Sequence, residues 1–113
     1  MQALVQRVSS AEIFINEEQH AKIQTGLLAF VCFESADVES TTDQFIKKIS
    51  EFTFFDDNRG VMASNLKEID GELMLVSQFT LAAITNKGNK PSFHKAAKTD
   101  DARLLYNQLI QKL

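Results

Sequence analysis

Five consecutive residues, Ser77-Gln78-Phe79-Thr80-Leu81, put two hydroxyls and an amide at the end of the apolar run Leu73-Met74-Leu75-Val76. Polar groups are costly in a buried strand unless they are bonded, so this placement suits a site better than a core. Ser77 and Thr80 are the natural side-chain nucleophiles, but a hydroxyl needs a general base within hydrogen-bond reach. There is no G-x-S-x-G elbow. The two histidines, His20 and His94, fall in a hairpin and in a polar loop, positions that read as surface. A Ser-His-Asp triad is therefore not supported, and the hydroxyl and amide groups at the strand end, with a basic loop ten residues on, suggest a small pocket meeting an anionic partner. The competing reading is that Ser77 and Thr80 simply face solvent.

Ten residues on lies a basic, turn-rich loop, Lys87-Gly88-Asn89-Lys90-Pro91-Ser92-Phe93. Lys87, Lys90 and Lys95 share a stretch with no acid from residue 86 to 99, which fits phosphate contact as well as an ordinary solvated loop. Gly88 permits a positive φ or close backbone approach. Phe93 reads as a hydrophobic tether for the loop, with base stacking as the alternative. Asp56-Asp57-Asn58-Arg59-Gly60 is a turn sequence without the later glutamate of a calcium loop. With one cysteine and two histidines, a protein-only zinc site is not expected. Cys32 lies in the apolar run Leu27–Phe33 and reads as a buried small hydrophobe. No metal and no cofactor is expected.

These candidates must be held by a chain of 113 residues, 44% hydrophobic and 24% charged, which reads as one globular domain spanning residues 1–113. The formal charge of −3 argues against a general nucleic-acid coat but not against a local basic patch. No signal-peptide pattern or membrane-length apolar run is seen, so a reduced, cytoplasmic setting is expected and no membrane partner. Residues 2–8 and 11–15 read as extended, and the chain resumes at His20 after Asn16-Glu17-Glu18-Gln19 to make a hairpin. Residues 27–33, with no alternation, read as a strand buried on both faces. A helix capped by Ser35 or Asp37 follows, with Val38, Phe45, Ile46 and Ile49 at helical spacing. Phe52–Phe55 reads as a short aromatic strand, Asp70-Gly71 as a tight turn and residues 72–84 as one long strand. A second helix from Asp100 or Asp101 should turn Leu104, Leu105, Leu109 and Ile110 inward. Hairpins between helices give an α+β class.

The opening Ala3-Leu4-Val5-Gln6-Arg7-Val8, then Gly26-Leu27-Leu28, then Gly71-Glu72-Leu73-Met74-Leu75-Val76-Ser77-Gln78-Phe79-Thr80-Leu81, and the loop Lys87–Phe93 together resemble the D-aminoacyl-tRNA deacylases, also called D-tyrosyl-tRNA deacylases. The resemblance covers essentially the whole chain, in order. It implies a curved antiparallel or mixed sheet, barrel-like, with two helices. It also implies a cytoplasmic homodimer that hydrolyses the ester between a D-amino acid, or a wrongly loaded glycine, and the 3′ end of tRNA. The family needs no protein nucleophile, because the RNA's terminal 2′-hydroxyl helps activate the attacking water. Ser77, Gln78, Phe79 and Thr80 would then hold the ester and offer backbone N–H groups to the oxyanion, with Thr80 positioning rather than attacking. Lys87, Gly88, Lys90, Pro91, Ser92 and Phe93 would meet the tRNA. Arg7, which reads equally as an edge residue, would stand near the pocket.

The family carries a second signature, Asn-x-Gly-Pro-x-Thr with a cis Gly-Pro bond, that rejects L-amino acids from the partner subunit's pocket. The only proline here is Pro91, preceded by Lys90, so that signature is absent and the C-terminal strands are expected to be missing. An open sheet edge is the expected consequence. Beside the esterase reading stand two others: a non-catalytic tRNA-binding remnant of the same fold, and an editing domain like those attached to some threonyl-tRNA synthetases.

Overall fold

The alternation in Ala11–Ile15 and the β-branched residues around it produce a hairpin whose turn needs only two residues. The computed structural model, which describes all of residues 1–113, pairs β2 (Ala11–Ile15) antiparallel with β3 (Glu18–Ile23), from Ala11 opposite Ile23 to Ile15 opposite Glu18. Asn16 and Glu17 make the turn at φ of 52° and 67°, the left-handed pair that matches strand twist. The strand therefore resumes at Glu18, earlier than the polar sequence suggests.

The central sheet has three strands in the order β1 (Gln2–Val8), β4 (Gly26–Cys32), β7 (Glu72–Ser77). The continuous apolar run makes β4 the middle strand, with Leu27, Ala29 and Val31 fully buried. The Glu72 N–H donates to the Thr25 carbonyl and the Gln78 N–H to the Val31 carbonyl. Donor and acceptor keep the same sequence separation at both ends, so β4 and β7 run parallel. A parallel pair needs a long crossover, and α1 (Glu39–Glu51) with the short hairpin β5 (Phe55–Asp56) and β6 (Met62–Ser64) supplies it. β1, exposed along most of its length, is an edge strand.

Contacts divide the chain into two units. The first comprises Met1–Leu4, Phe30–Ile46 and Ser77–Leu113, the second Val5–Ala29 and Lys47–Val76. In the first, Val31, Cys32, Phe33, Thr42, Ala82, Leu105 and Leu109 are buried; in the second, Ile23, Leu27, Ala29, Ile49, Phe55 and Met74. The buried Thr42 hydroxyl is satisfied by the Glu39 carbonyl at 2.5 Å, as a hydroxyl inside a core must be. Helix α2 (Thr99–Lys112) is tied to the start of α1 by Lys112, whose Nζ lies 3.1 Å from Glu39 Oε1 and 2.9 Å from Asp43 Oδ1.

Four further expectations are corrected. The long strand 72–84 stops at Ser77, and Phe79–Ala82 form a 3₁₀ turn. Its partner β4 ends at Cys32, so later residues have no ladder to join, and backbone groups seek local bonds instead: the Leu81 N–H reaches the Gln78 carbonyl. Neither Ser35 nor Asp37 caps α1. The Asp37 carboxylate is taken by the Met1 ammonium and the Glu34 N–H, while the Thr41 hydroxyl accepts the Val38 N–H. Phe52 is not in a strand, because its N–H reaches the Lys48 carbonyl as a last helical bond; only Phe55 and Asp56 pair. In α2, Leu105 and Leu109 are buried as expected, but Leu104 and Ile110 are exposed.

Candidate active site

The carbonyl end of β7 delivers Ser77 to the surface and the backbone then turns. Gln78 is extended, at φ −144° and ψ 91°, and Phe79 opens the 3₁₀ turn. The first N–H groups of any helical turn lack partners within it. Those of Phe79 and Thr80 make no hydrogen bond in the chain, whereas their neighbours Gln78, Leu81 and Ala83 each donate to a backbone carbonyl. Two adjacent, uncommitted donors at a strand end can receive an oxygen that gains negative charge. The Gln78 side-chain amide donates to the Thr80 hydroxyl, which fixes that hydroxyl over the turn and gives it an acceptor's role. No histidine or carboxylate is bonded to Ser77 or Thr80, so neither side chain has a base to activate it.

Beneath the turn lies Cys32. Its Sγ is 3.5 Å from both the Phe33 and Phe79 carbonyl oxygens. Burial pushes the thiol above its ordinary value, against a smaller opposing effect of the Ala82 backbone. It is a protonated, buried packing residue that holds the Phe79 carbonyl from behind, which agrees with the sequence reading.

The loop meets the turn through two aromatic rings. Phe93 is half-buried, and its ring meets that of Phe79 edge-on, with centroids 5.3 Å apart at 63°. That is the tether reading, an attractive geometry for ring quadrupoles. The loop base is closed by paired bonds between Ile84 and Ser92, of 2.7 and 3.0 Å. Ser92 Oγ lies 2.9 Å from His94 Nδ1. Lys87, Gly88, Lys90 and Pro91 are all exposed on the excursion so closed, and Gly88, at φ +66°, occupies the left-handed region. The sequence grouping of 77–80 with 92–93 is thus a spatial one. Arg7 belongs to the other unit, where its guanidinium stands 4.0 Å from Asp56 in an exposed pair.

A cleft of about 480 Å³ opens beside the turn, lined by Ser77 and Phe79 on one side and Thr99, Ala102, Arg103 and Tyr106 of α2 on the other. All of these residues lie in the first unit. Burial pushes the Tyr106 phenol above its ordinary value of 10.0. Sequence reasoning missed the α2 residues. Their spacing, 99, 102, 103 and 106, is that of one helical face, and polar Thr99, Arg103 and Tyr106 recurring there were the available signal. Asp57 is committed to its own turn, where its carboxylate accepts bonds from Arg59 Nε and Nη2 and from the Val61 N–H. No three His, Cys, Asp or Glu side chains converge as metal ligands, and no helix is long and apolar enough to cross a membrane.

The parallel strand β7 thus ends in N–H groups with no partner in the chain, and no side-chain base stands beside Ser77 or Thr80. Residues 4–113 match the family described as D-Tyr-tRNA(Tyr) deacylase, and the chain belongs to that family. It is 43% identical over 112 residues to a protein of Azoarcus sp. strain BH72 named D-aminoacyl-tRNA deacylase, covering 99% of this chain and 74% of the relative. A Flavobacterium johnsoniae protein of the same name is 41% identical over 113 residues, covering 100% and 75%. Among solved structures, one titled c-Myc DNA Unwinding Element Binding Protein superposes with a TM-score of 0.94 at 32% identity, covering 100% of this chain and 76% of that one. A eukaryotic structure at 16% identity, TM-score 0.84, covers 96% and 64% and supports the fold alone.

Proposed function

We propose that this chain hydrolyses the ester joining a D-amino acid to the 3′ end of tRNA, releasing free D-amino acid and tRNA with its 3′-hydroxyl restored. The observation that carries the reading is the pair of uncommitted N–H groups at Phe79 and Thr80, placed where the buried strand ends. The ester carbonyl oxygen docks against them. Water, polarised by the terminal 2′-hydroxyl, adds to the carbonyl carbon, and its proton passes towards the ribose side. The resulting oxyanion takes hydrogen bonds from both N–H groups, the strongest single contribution such sites make. Collapse breaks the carbon–oxygen bond to the ribose, whose oxygen takes up the proton. Ser77 and Thr80 position the ester without attacking it, which fits the absence of a base beside either.

Lys87 and Lys90 meet the tRNA backbone from the loop that Phe93 anchors to Phe79. Binding through them is salt-sensitive, because each neutralised phosphate releases counterions. The reading includes a homodimer acting in the cytoplasm, with mischarged glycyl-tRNA as a further substrate.

The test is deacylation of matched D-tyrosyl- and L-tyrosyl-tRNA by the purified chain. Release from the D form at a rate well above buffer supports the reading, and the L rate measures how far the chain selects chirality unaided. No release from either, with tRNA still bound, replaces the enzyme reading with that of a non-catalytic tRNA-binding protein.

A further inference from the structure

Arg103 is the only arginine of the first unit, and it lines the cleft opposite Ser77 and Phe79. Its guanidinium makes no ion pair or hydrogen bond within the chain. The other two arginines do: Arg7 faces Asp56 and Arg59 faces Asp57. The acids nearest in sequence, Asp100 and Asp101, do not neutralise it, and Asp101 lines a separate groove with Leu104 and Gln108. From residue 73 to 99 the chain has no acid and four lysines, Lys87, Lys90, Lys95 and Lys98. An uncommitted guanidinium thus stands across a cleft from Ser77 and Phe79, which begin a stretch that carries lysines and no acid.

A guanidinium recognises a phosphate by paired, charge-assisted hydrogen bonds, for which its fork is preformed. In an aminoacylated RNA 3′ end, the first phosphodiester lies one ribose away from the ester. We propose that Arg103 is a positioning residue that binds the 5′-phosphate of the terminal nucleotide while the ester rests on Phe79 and Thr80. The cleft, about 480 Å³ and lined largely by apolar residues that include Ala96, Ala97, Ala102 and Phe79, leaves room for the sugar. This rests on the deacylase reading. It extends that reading by assigning the cleft to a nucleotide rather than to a nucleoside ester alone.

The test uses stable analogues in which D-tyrosine is joined by an amide to 3′-amino-3′-deoxyadenosine, made with and without a 5′-phosphate. Calorimetric titration of the wild-type chain should show the phosphorylated analogue binding about 10-fold tighter or more, as expected for a hydrogen bond to a charged group. Arg103→Gln should bring the two affinities within about 2-fold, leaving that of the unphosphorylated analogue unchanged, and Arg103→Lys should restore part of the preference. No phosphate preference in the wild type, or the same preference in Arg103→Gln, overturns the assignment. A separate arm, hydrolysis of the corresponding unphosphorylated 3′ ester, reports on the deacylase reading without involving Arg103. Failure there with an intact phosphate preference leaves a nucleotide-binding cleft in a chain that does not hydrolyse the ester.

Discussion

Removing a single backbone N–H separates a catalytic turn from a decorative one, and the structure allows this at Phe79. Proline lacks the N–H and fixes φ near −65°. It is tolerated at the first position of a helical turn, which Phe79 occupies. It also needs an extended residue before it, and Gln78 is extended. Because the Phe79 N–H makes no bond in the chain, Phe79→Pro removes no intramolecular hydrogen bond. The substitution does remove the ring, 59% exposed and in edge contact with Phe93, worth about 0.5–1.5 kcal/mol as an aromatic pair. Phe79→Ala removes the same ring and keeps the N–H. The ratio of the two variants therefore isolates the donor. If that N–H holds the oxyanion, kcat of Phe79→Pro on D-tyrosyl-tRNA should lie about 10²–10³ below that of Phe79→Ala, or about 2.7–4 kcal/mol of transition-state stabilisation. Single-turnover deacylation measures the ratio, and circular dichroism and thermal melting check that both variants fold alike. A ratio near one between two folded variants refutes the backbone-oxyanion argument.

Gly26→Ala should destabilise severely, because a Cβ there would sit 1.8 Å from the Glu72 carbonyl oxygen, about half of an ordinary contact distance. Overpacking of this kind costs about 3 kcal/mol or more, so a melting temperature within a few degrees of wild type would contradict the close approach of β4 and β7. Thr80→Ala should lower kcat modestly, about 10-fold, since Thr80 positions and does not attack; complete loss of activity in a folded variant would restore it as nucleophile. The Met1 ammonium lies 3.0 Å from Glu34 and 2.7 Å from Asp37. Burial lowers its pKa, but hydrogen bonds and charge from Asp37 and Glu34 outweigh this and raise it above 8.0. The stability it contributes is complete below pH 8 and is lost as pH rises through the raised folded value. Denaturant titrations at pH 7 and pH 10 should show a larger alkaline loss for the native chain than for one acetylated at Met1.

Legibility from sequence followed the locality of the physics. The hairpin 11–23, the doubly buried β4 and the two amphipathic helices are set by side-chain period and were readable from it. The end of β7 was not. Nothing in Ser77–Ile84 announces that the strand must stop, because the limit is set by its neighbour: β4 ends at Cys32, some forty-five residues earlier in the chain, and the ladder ends with it. Likewise Leu104 and Ile110 sit at apolar positions of α2, and only tertiary packing decides that Leu105 and Leu109 are buried while they are exposed.

The misjudged strand is also where the proposed chemistry lies. Had residues 72–84 continued as a strand, the N–H groups of Phe79 and Thr80 would have been either spent on a ladder or aimed alternately to opposite sides. Ending the partner strand at Cys32 forces a turn, and a turn necessarily opens with unbonded donors. The Cys32 thiol, at the last residue of β4, then holds the Phe79 carbonyl at 3.5 Å, and the Phe93 ring holds the Phe79 side chain from the loop. Two donors are thereby left unmatched at a fixed place by packing alone, with no side-chain base required. In the proposed reaction, whose substrate brings its own hydroxyl, activity should therefore depend more on the integrity of this turn than on any single side chain within it.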